Sequence, residues 1–317
     1  WEKLIKYMDI DAKFIQPSYK DFKINTDEIS SAIDDHTIGV IAIMGNHYGG
    51  QYDPVWEVND VVEKVNKDRG FQVGIHVDAA SGGFIAPFQK DLPEWDFRLK
   101  NVLSISASGH KFGESCIGTG WVVWRQRENL SAHVAISVSY LGGMGESYNL
   151  NFSRPASGIY VQYYKFLRYG ISGYQKICEH MMAHAQKIRG GLEGMKFEGK
   201  PRFVILDDGD KGCLPVVTAM LNPECYFEYD DIDLQHAISE HNWYVSGYRM
   251  NFEDPVTKQD KPIFTDQDGS KTMFRIVVKS NINSVMVDNL IDSFGKTLEM
   301  LDSIEFKNKT NGAFKGM

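Results

Sequence analysis

Apolar and polar positions in the first half of the chain alternate between the period of buried strands and that of amphipathic helices. Residues 37–44 form an apolar, β-branched run that predicts a buried strand. Residues 55–69 follow helical periodicity and predict a helix. We expect Asp53 to be its N-cap, Pro54 its first residue and Gly70 its C-cap.

The alternation continues with three more predicted strands, at residues 71–77, 102–106 and 121–124. Strands that alternate with helices are typical of an α/β fold with a mostly parallel central sheet. Ligands of such sheets bind beyond the carboxyl ends of the strands. Asp78 and Lys111 each follow a predicted strand, so both are expected in the zone where a ligand would bind.

The second half is predicted to begin with a long helix at residues 157–192, interrupted near Gly170 and Gly173. The remainder is typical of a small α+β domain, with segments at residues 203–206, 215–221, 232–240, 272–278 and 285–301. We therefore predict three regions. Residues 1–170 form the C-terminal part of a large domain, residues 171–305 a connecting helix and a small C-terminal domain, and residues 306–317 a disordered tail.

Composition and charge exclude several classes of function. The 317 residues are 43% hydrophobic and 24% charged, which is ordinary for a globular protein. The net charge of −8 argues against a nucleic-acid partner, and no apolar run is long enough to suggest a membrane span. The four cysteines lack the spacing of a zinc site or a disulfide framework, so we predict no metal and expect a reduced, cytoplasmic setting.

Lys111 is the residue that packing explains least well. It lies among small residues, in the segment SASGHKFG at residues 106–113, just after an apolar strand. Lysine is rarely buried without a partner, and small neighbours leave a space that a ligand can fill. Pyridoxal phosphate suits this space. The lysine amine forms a Schiff base with its aldehyde, the serines and His110 offer donors to its phosphate, and Asp78 keeps its pyridine nitrogen protonated.

Several segments resemble the signatures of group II pyridoxal-phosphate-dependent decarboxylases, and within that group those of glutamate decarboxylases. They are HVDAASGGF at residues 76–84, SISASGHKFG at 104–113, GWVVWR at 120–125, YLGG at 140–143 and NFSRP at 151–155. The resemblance covers about the first 200 residues. It implies the aspartate aminotransferase-like fold type I, with a mostly parallel central sheet and a small C-terminal α+β domain.

The resemblance implies catalytic roles for three residues. Lys111 would be the Schiff-base lysine, Asp78 the partner of the pyridine nitrogen, and His110 a contact near the phosphate and the substrate with a possible part in proton handling. Asp78 has one alternative, the capping of the next turn. His76 lies on the same side of the strand as Asp78, where it either orients that carboxylate or is a core histidine with its own partners.

The resemblance also implies four further cofactor contacts and one substrate contact. Ser108 would bind the phosphate, Ala80 would lie against the ring, and His47 would line the site. Ser153 would reach the phosphate of a neighbouring subunit, or else cap the helix after it. Arg275, inside an apolar strand, matches arginines that bind the substrate α-carboxylate through their planar fork.

Two positions depart from the glutamate decarboxylase pattern. His47 stands where threonine is typical, and Glu114 begins a segment where apolar residues are more usual. A carboxylate at Glu114 would not favour an acidic substrate if it faced the site. Lys279, four residues after Arg275, is expected to face solvent.

The predicted function is the decarboxylation of an amino acid with pyridoxal phosphate, most closely that of glutamate to γ-aminobutyrate and carbon dioxide. The alternatives are a decarboxylase for another amino acid, a carbon–carbon lyase of the same fold, and a non-catalytic structural or assembly subunit. The chain opens on Trp1 in a helical pattern, so we expect it to lack the N-terminal third of a family member. A homo-oligomer with its active site at a dimer interface is expected.

Overall fold

The structure is a computed structural model. It describes residues 1–17, 21–130, 135–138, 143, 145–148, 153–209, 212–254, 257–263 and 271–304. The predicted disordered tail, residues 140–142 and residues 151–152 lie outside the described residues.

Six helices and fourteen strands are described, with short 3-10 turns between some of them. The helices are α1 (Glu2–Met8), α2 (Thr26–Ala32), α3 (Val55–Arg69), α4 (Ser157–Gly194), α5 (Asp231–Ser239) and α6 (Ser284–Ser303). The strands of the first half are β1 (Gly39–Ile43), β2 (Gly74–Asp78), β3 (Val102–Ser108), β4 (Gly120–Trp124), β5 (Ile136–Val138) and β6 (Gly145–Ser147). Those of the second half are β7 (Lys196–Phe197), β8 (Lys200–Pro201), β9 (Phe203–Ile205), β10 (Val216–Leu221), β11 (Ser246–Arg249), β12 (Asn251–Glu253), β13 (Asp260–Pro262) and β14 (Thr272–Val277).

The first half builds a four-stranded sheet in the order β1-β2-β3-β4. β1, β2 and β3 are parallel, and β4 is antiparallel to β3, so the prediction of a mostly parallel sheet is confirmed. In the register of the sheet, Asp78 pairs with Ile43 on one side and with Ser106 on the other. The carboxyl ends of three parallel strands therefore meet around Asp78.

Helix α3 has the predicted bounds, and Gly70 ends it in the left-handed conformation with a φ of 72°. The prediction that Asp53 caps this helix is wrong. Pro54 occupies the N-cap position, and the buried carboxylate of Asp53 instead accepts hydrogen bonds from the backbone N–H groups of Ile24 and Ile43 at 2.8 and 2.6 Å. The Asp53 carboxylate thereby satisfies two backbone donors near the start of α3.

The second half builds an antiparallel sheet in the order β11-β14-β10-β9. Helix α4 packs on β9 and β10, α5 packs on β11 and β14, and α6 packs on both of these helices. This is the predicted α+β arrangement. The predicted break in the long helix is confirmed at Gly170, which has a non-helical φ of 58°, whereas Gly173 lies within the helix. The region boundary that we placed at residue 170 stays a prediction.

The loop after β1 joins the two sheets. The Thr218 hydroxyl on β10 donates to the carbonyl of Tyr48 at 2.9 Å, and the Leu214 N–H donates to the carbonyl of Gly50 at 2.9 Å. Gly50 has a φ of 71°, and a Cβ there would lie 2.5 Å from Cγ2 of Val216, so this close approach needs glycine. The second sheet is thereby held against the edge of the first sheet where Asp78 lies.

The buried carboxyl of Asp231, at the start of α5, should make the stability of the fold depend on pH. Burial raises its pKa to about 7, although its carboxylate accepts hydrogen bonds from the Leu221 N–H at 2.9 Å and the Thr272 hydroxyl at 2.8 Å. A carboxyl whose pKa is raised in the folded state stabilises the fold below its ordinary pKa and loses that contribution as the pH rises. We expect the free energy of unfolding to fall between pH 4 and pH 7 by an amount on the order of 4 kcal/mol from this group.

Chemical denaturation of the wild type and of Asp231→Asn across this pH range measures the effect. The variant should gain stability relative to the wild type as the pH rises, because the amide does not ionise. Asp68→Asn on the exposed surface of α3 is the matched control. A difference between wild type and Asp231→Asn that is constant with pH would contradict the prediction.

Candidate active site

The carboxyl ends of β2 and β3 bring the predicted aspartate and lysine to the two ends of the short turn at residues 78–81. Asp78 ends β2, and its Oδ1 accepts a hydrogen bond from the backbone N–H of Ala80 at 3.0 Å. At the other end of the turn, the Lys111 amine donates to the hydroxyl of Ser81 at 3.2 Å. The Ser108 N–H donates to the carbonyl of Ala80 at 3.1 Å, which fixes the turn against β3.

The turn that carries Lys111 is held from behind by buried polar groups. The carbonyl of Gly113 accepts hydrogen bonds from Nε2 of Gln162 at 2.8 Å and from the Tyr174 hydroxyl at 3.0 Å. Gly109 lies so close to Gln162 that a Cβ there would be 2.3 Å from its Oε1. The glycines beside Lys111 therefore allow helix α4 to support the turn, while the lysine side chain itself is exposed.

His110 is held by its backbone partner. Its Nδ1 lies 2.9 Å from the carbonyl of Thr119, and because a carbonyl only accepts, Nδ1 carries the hydrogen. The other ring nitrogen, Nε2, is then an acceptor in the neutral ring. His110 is thus presented beside Lys111 with a defined tautomer.

His76 has its own partners, as one of the two sequence interpretations held. Its Nδ1 hydrogen-bonds with the Ser104 hydroxyl at 2.7 Å and its Nε2 with the Ser106 hydroxyl at 3.2 Å. Burial lowers its pKa, against the opposing effect of the Asp78 charge. Asp78 is contacted instead by Trp1, whose indole N–H donates to Oδ2 at 2.8 Å, a contact that the sequence did not indicate.

Four side chains that carry or can take up a positive charge lie close together beside the turn that carries Lys111. Partial desolvation, together with the positive charges of Arg275 and Lys111, lowers the pKa of His47, although the residue is still exposed to solvent. Partial desolvation and the same two charges also lower the pKa of Lys279, against the opposing charge of Glu114, although the residue is still exposed to solvent. Mutual repulsion among His47, Lys111, Arg275 and Lys279 makes the region a site where an anion would be stabilised.

Arg275 reaches this region from the second sheet. It pairs in register with Thr218, whose hydroxyl is bonded to the loop that carries His47. Burial lowers its pKa, and its guanidinium lies 5.4 Å from the centre of the Tyr248 ring. Among the described residues its buried Nε has no hydrogen-bond partner. A buried guanidinium nitrogen without a partner is costly, and a carboxylate or phosphate would satisfy it.

Two further charged residues lie near the site, and the pairing of the second changes the sequence interpretation. Lys279 is exposed, as expected, but its ammonium lies 4.6 Å from the centre of the Phe112 ring, next to Lys111. Glu114 is bonded to the Lys165 ammonium at 3.2 Å, so its negative charge is paired. The Glu114 carboxylate therefore opposes an acidic ligand less than the sequence suggested.

The remaining predicted residue, Ser153, is exposed on a bend four residues before α4. Its predicted contact with a neighbouring subunit is not tested by a single chain.

The residues present fit pyridoxal phosphate. Lys111 supplies an amine, the Asp78 carboxylate accepts a ring N–H as it does from the Trp1 indole, and the hydroxyl of Ser81 lies beside the amine. Small residues also pack closely behind these groups: a Cβ on Gly83 would lie 2.8 Å from the Cβ of Ala107. In the part of the chain that the structure describes, no group of three or more histidine, cysteine or acidic residues could hold a metal ion. This fold and this site define the class of fold type I pyridoxal-phosphate-dependent enzymes.

Comparison with known proteins gives the family. Residues 1–198 match the model described as the pyridoxal-dependent decarboxylase conserved domain. Glutamate decarboxylase beta of Listeria monocytogenes is 35% identical over 303 residues, which cover 96% of this chain and 61% of that protein. The chain belongs to the pyridoxal-dependent decarboxylase family.

Solved structures agree with this assignment. The glutamate decarboxylase of Lactobacillus brevis superposes with a TM-score of 0.86 at 35% identity, over 97% of this chain and 65% of that one. The sphingosine-1-phosphate lyase of Burkholderia pseudomallei shares the fold at 20% identity, with a TM-score of 0.71 over 94% of this chain and 60% of the other. The chain therefore spans less than two thirds of the length of these relatives.

Proposed function

We propose that this chain carries the catalytic lysine of a pyridoxal-phosphate-dependent decarboxylase that converts glutamate to γ-aminobutyrate and carbon dioxide. The observation that carries the proposal is the convergence of Arg275, Lys279 and His47 on Lys111 in a chain whose net charge is −8. A substrate with two carboxylates would neutralise these charges. The likeness to two glutamate decarboxylases supports the same substrate.

Each predicted residue has a role in this proposal. The Lys111 amine would hold the cofactor through its aldehyde. Asp78 accepts the hydrogen of the protonated pyridine nitrogen, and Ala80 leaves room for the ring. Ser108 would donate to the phosphate, and His110 would do so through Nε2–H in the doubly protonated ring, since its Nδ1–H is bonded to the carbonyl of Thr119. When bound, pyridoxal phosphate supplies an electron sink for the electron pair left by the departing carboxylate.

Arg275 and the neighbouring cations act on the substrate. The Arg275 guanidinium binds the α-carboxylate through two parallel hydrogen bonds and so orients the bond that breaks. His47 and Lys279 lie where they favour the second carboxylate. A proton must reach the α carbon after carbon dioxide leaves, and Lys111 and His110 are the proton-bearing groups that lie on this turn.

The test is carbon dioxide release by the purified chain with pyridoxal phosphate and single amino acids. Glutamate should react faster than aspartate, and aromatic amino acids should not react. Release from an aromatic amino acid instead would support a decarboxylase of different specificity. If the chain binds the cofactor but releases carbon dioxide from no amino acid, the decarboxylase proposal is wrong, and a carbon–carbon lyase or an assembly subunit becomes the better interpretation.

We further propose that two copies of the chain associate through the first half of α4. Tyr160, Tyr163, Tyr164 and Leu167 recur at helical spacing and are 61–72% exposed, so they form one apolar face. Ser153 lies just before this helix, and its predicted contact is with a neighbouring subunit. A cytoplasmic location is part of the proposal and is supported by the four cysteines, whose spacing does not suggest a disulfide framework.

Leu167→Asp is expected to lower the fraction of dimer at micromolar concentration, because burying an unpaired carboxylate opposes association. Sedimentation velocity or light scattering of the variant and the wild type measures the mass. Tyr244→Asp places the same charge on an exposed side chain of the second half and is the matched control. A wild-type chain that is monomeric, or a variant that dimerises equally well, would contradict this interface.

The state of His47 gives an independent prediction about the anion site. Partial desolvation and the charges of Arg275 and Lys111 lower the pKa of its imidazole in the protein without ligand. A dicarboxylate such as glutarate would neutralise those charges, so binding should raise that pKa and take up part of a proton. Proton NMR titration of the His47 ring with and without glutarate measures both values, and the exposed His36 ring serves as the control. No change on saturation with glutarate would place the dicarboxylate elsewhere.

A further inference from the structure

Trp1 makes a polar contact that packing does not explain. Its indole N–H donates to Oδ2 of Asp78, 77 positions further along the chain, at 2.8 Å. Trp1 is the N-cap of α1, and none of the residues of α1 is buried. Since this helix is not anchored by a core face, the hydrogen bond to Asp78 is a specific tie between the start of α1 and the centre of the candidate site.

The indole is also held by a fixed neighbour. Its ring lies edge-on to the His76 ring, with 5.4 Å between the ring centres. His76 is in turn fixed at both nitrogens by the hydroxyls of Ser104 and Ser106 on β3. The indole therefore rests on a ring that cannot rotate without breaking two hydrogen bonds. Its N–H is aimed at the carboxylate by this support.

Asp78 keeps capacity for another donor. A carboxylate offers about four lone-pair positions on its two oxygens. The backbone N–H of Ala80 occupies one position on Oδ1, and the indole N–H of Trp1 occupies one on Oδ2. These two donors fix the rotation of the carboxylate about its side-chain bond and leave a position on each oxygen for a third donor.

We propose that Trp1 is a positioning residue for the cofactor, which holds the Asp78 carboxylate in the orientation that accepts the N–H of the protonated pyridine ring. This inference rests on the proposed function. Trp1 itself does not touch the reacting atoms. The contribution of Trp1 to cofactor affinity should therefore depend on the ring nitrogen of the cofactor. If Trp1 only packed, its contribution would be the same with or without that nitrogen.

The experiment compares two ligands with Trp1→Phe in the full chain. One ligand is pyridoxal phosphate, and the other is its analogue in which the ring nitrogen is replaced by a C–H group. Phenylalanine keeps an aromatic ring against His76 but has no N–H donor. Trp121→Phe, on β4, removes an indole of similar exposure and is the matched control. Equilibrium absorbance titrations give the dissociation constants and need no catalytic turnover.

We expect Trp1→Phe to weaken the binding of pyridoxal phosphate about tenfold, the order of one hydrogen bond to a charged group. Binding of the analogue should change less than about twofold, since Asp78 has no ring N–H to accept from it. Trp121→Phe should leave both constants unchanged. The ratio between the loss of affinity for pyridoxal phosphate and the loss for the analogue is the quantity that identifies a positioning role.

Three results would overturn the inference. Equal losses for both ligands would show that the indole only packs. Tighter binding of pyridoxal phosphate by Trp1→Phe would show that the indole competes with the cofactor for Asp78. Failure of the wild-type chain to bind pyridoxal phosphate would overturn the proposed function and this inference together, whereas either of the first two results, with normal wild-type binding, would overturn this inference alone.

Discussion

Replacing Lys111 by alanine is expected to lower the rate of decarboxylation by a factor on the order of 10³ or more. The Lys111 amine is the nucleophile that the turn after β3 presents next to Ser81, and alanine removes both the covalent attachment of the cofactor and a proton-bearing group. The loss should appear in kcat at saturating glutamate and pyridoxal phosphate. It should be accompanied by loss of borohydride-stable labelling of the chain.

Lys111→Arg separates the chemistry of the amine from its charge. Arginine keeps a positive charge beside Arg275 and Lys279 but is not a nucleophile, so this variant should be as inactive as Lys111→Ala. Peptide mass spectrometry of the reduced wild-type protein should place the cofactor on Lys111. Labelling of another lysine, such as Lys279, or substantial activity in Lys111→Arg, would show that the nucleophile has been assigned to the wrong residue.

Periodicity and end signals were enough to predict the elements that carry the first sheet. The bounds of α3 were correct, because its apolar spacing and Gly70 agree with each other. Asp53 shows the limit of such reasoning. Its type and place fit a helix cap, yet its carboxylate satisfies the N–H groups of Ile24 and Ile43, and one of these lies 29 residues away. Local sequence does not show which unpaired donors the fold brings to a carboxylate.

The same limit applies to the candidate site, where only the residues that follow predicted strands could be placed from the sequence. Asp78 and Lys111 follow neighbouring parallel strands, so their proximity follows from strand order. Contacts between segments far apart in the sequence were not predictable in this way. Lys279 joins the cationic group, and Trp1 meets Asp78, only because the fold brings distant segments together. The Nε of Arg275, which has no hydrogen-bond partner in the part of the chain that the structure describes, gave the clearest sign of a ligand. It depends on burial that no sequence pattern shows.

Replacing Arg275 by lysine is expected to raise the KM for glutamate by about 10²-fold with a smaller effect on kcat. The guanidinium offers two parallel donors to a carboxylate, whereas the ammonium is a compact charge on a flexible stem and cannot reproduce that fork. Arg249→Lys on the neighbouring strand β11, where the arginine is exposed, is the matched control and should leave both constants near their wild-type values.

Arg275→Met extends the test to the electrostatics of the site. Arg275 lowers the pKa of His47, so removing its charge should raise the pKa of that imidazole in the protein without ligand. Steady-state kinetics and the NMR titration of His47 then report on the same guanidinium by independent routes. A raised pKa together with an unchanged KM would mean that Arg275 lies beside the site without binding the substrate carboxylate. An unchanged pKa together with a raised KM would mean that His47 and Arg275 do not face the same anion.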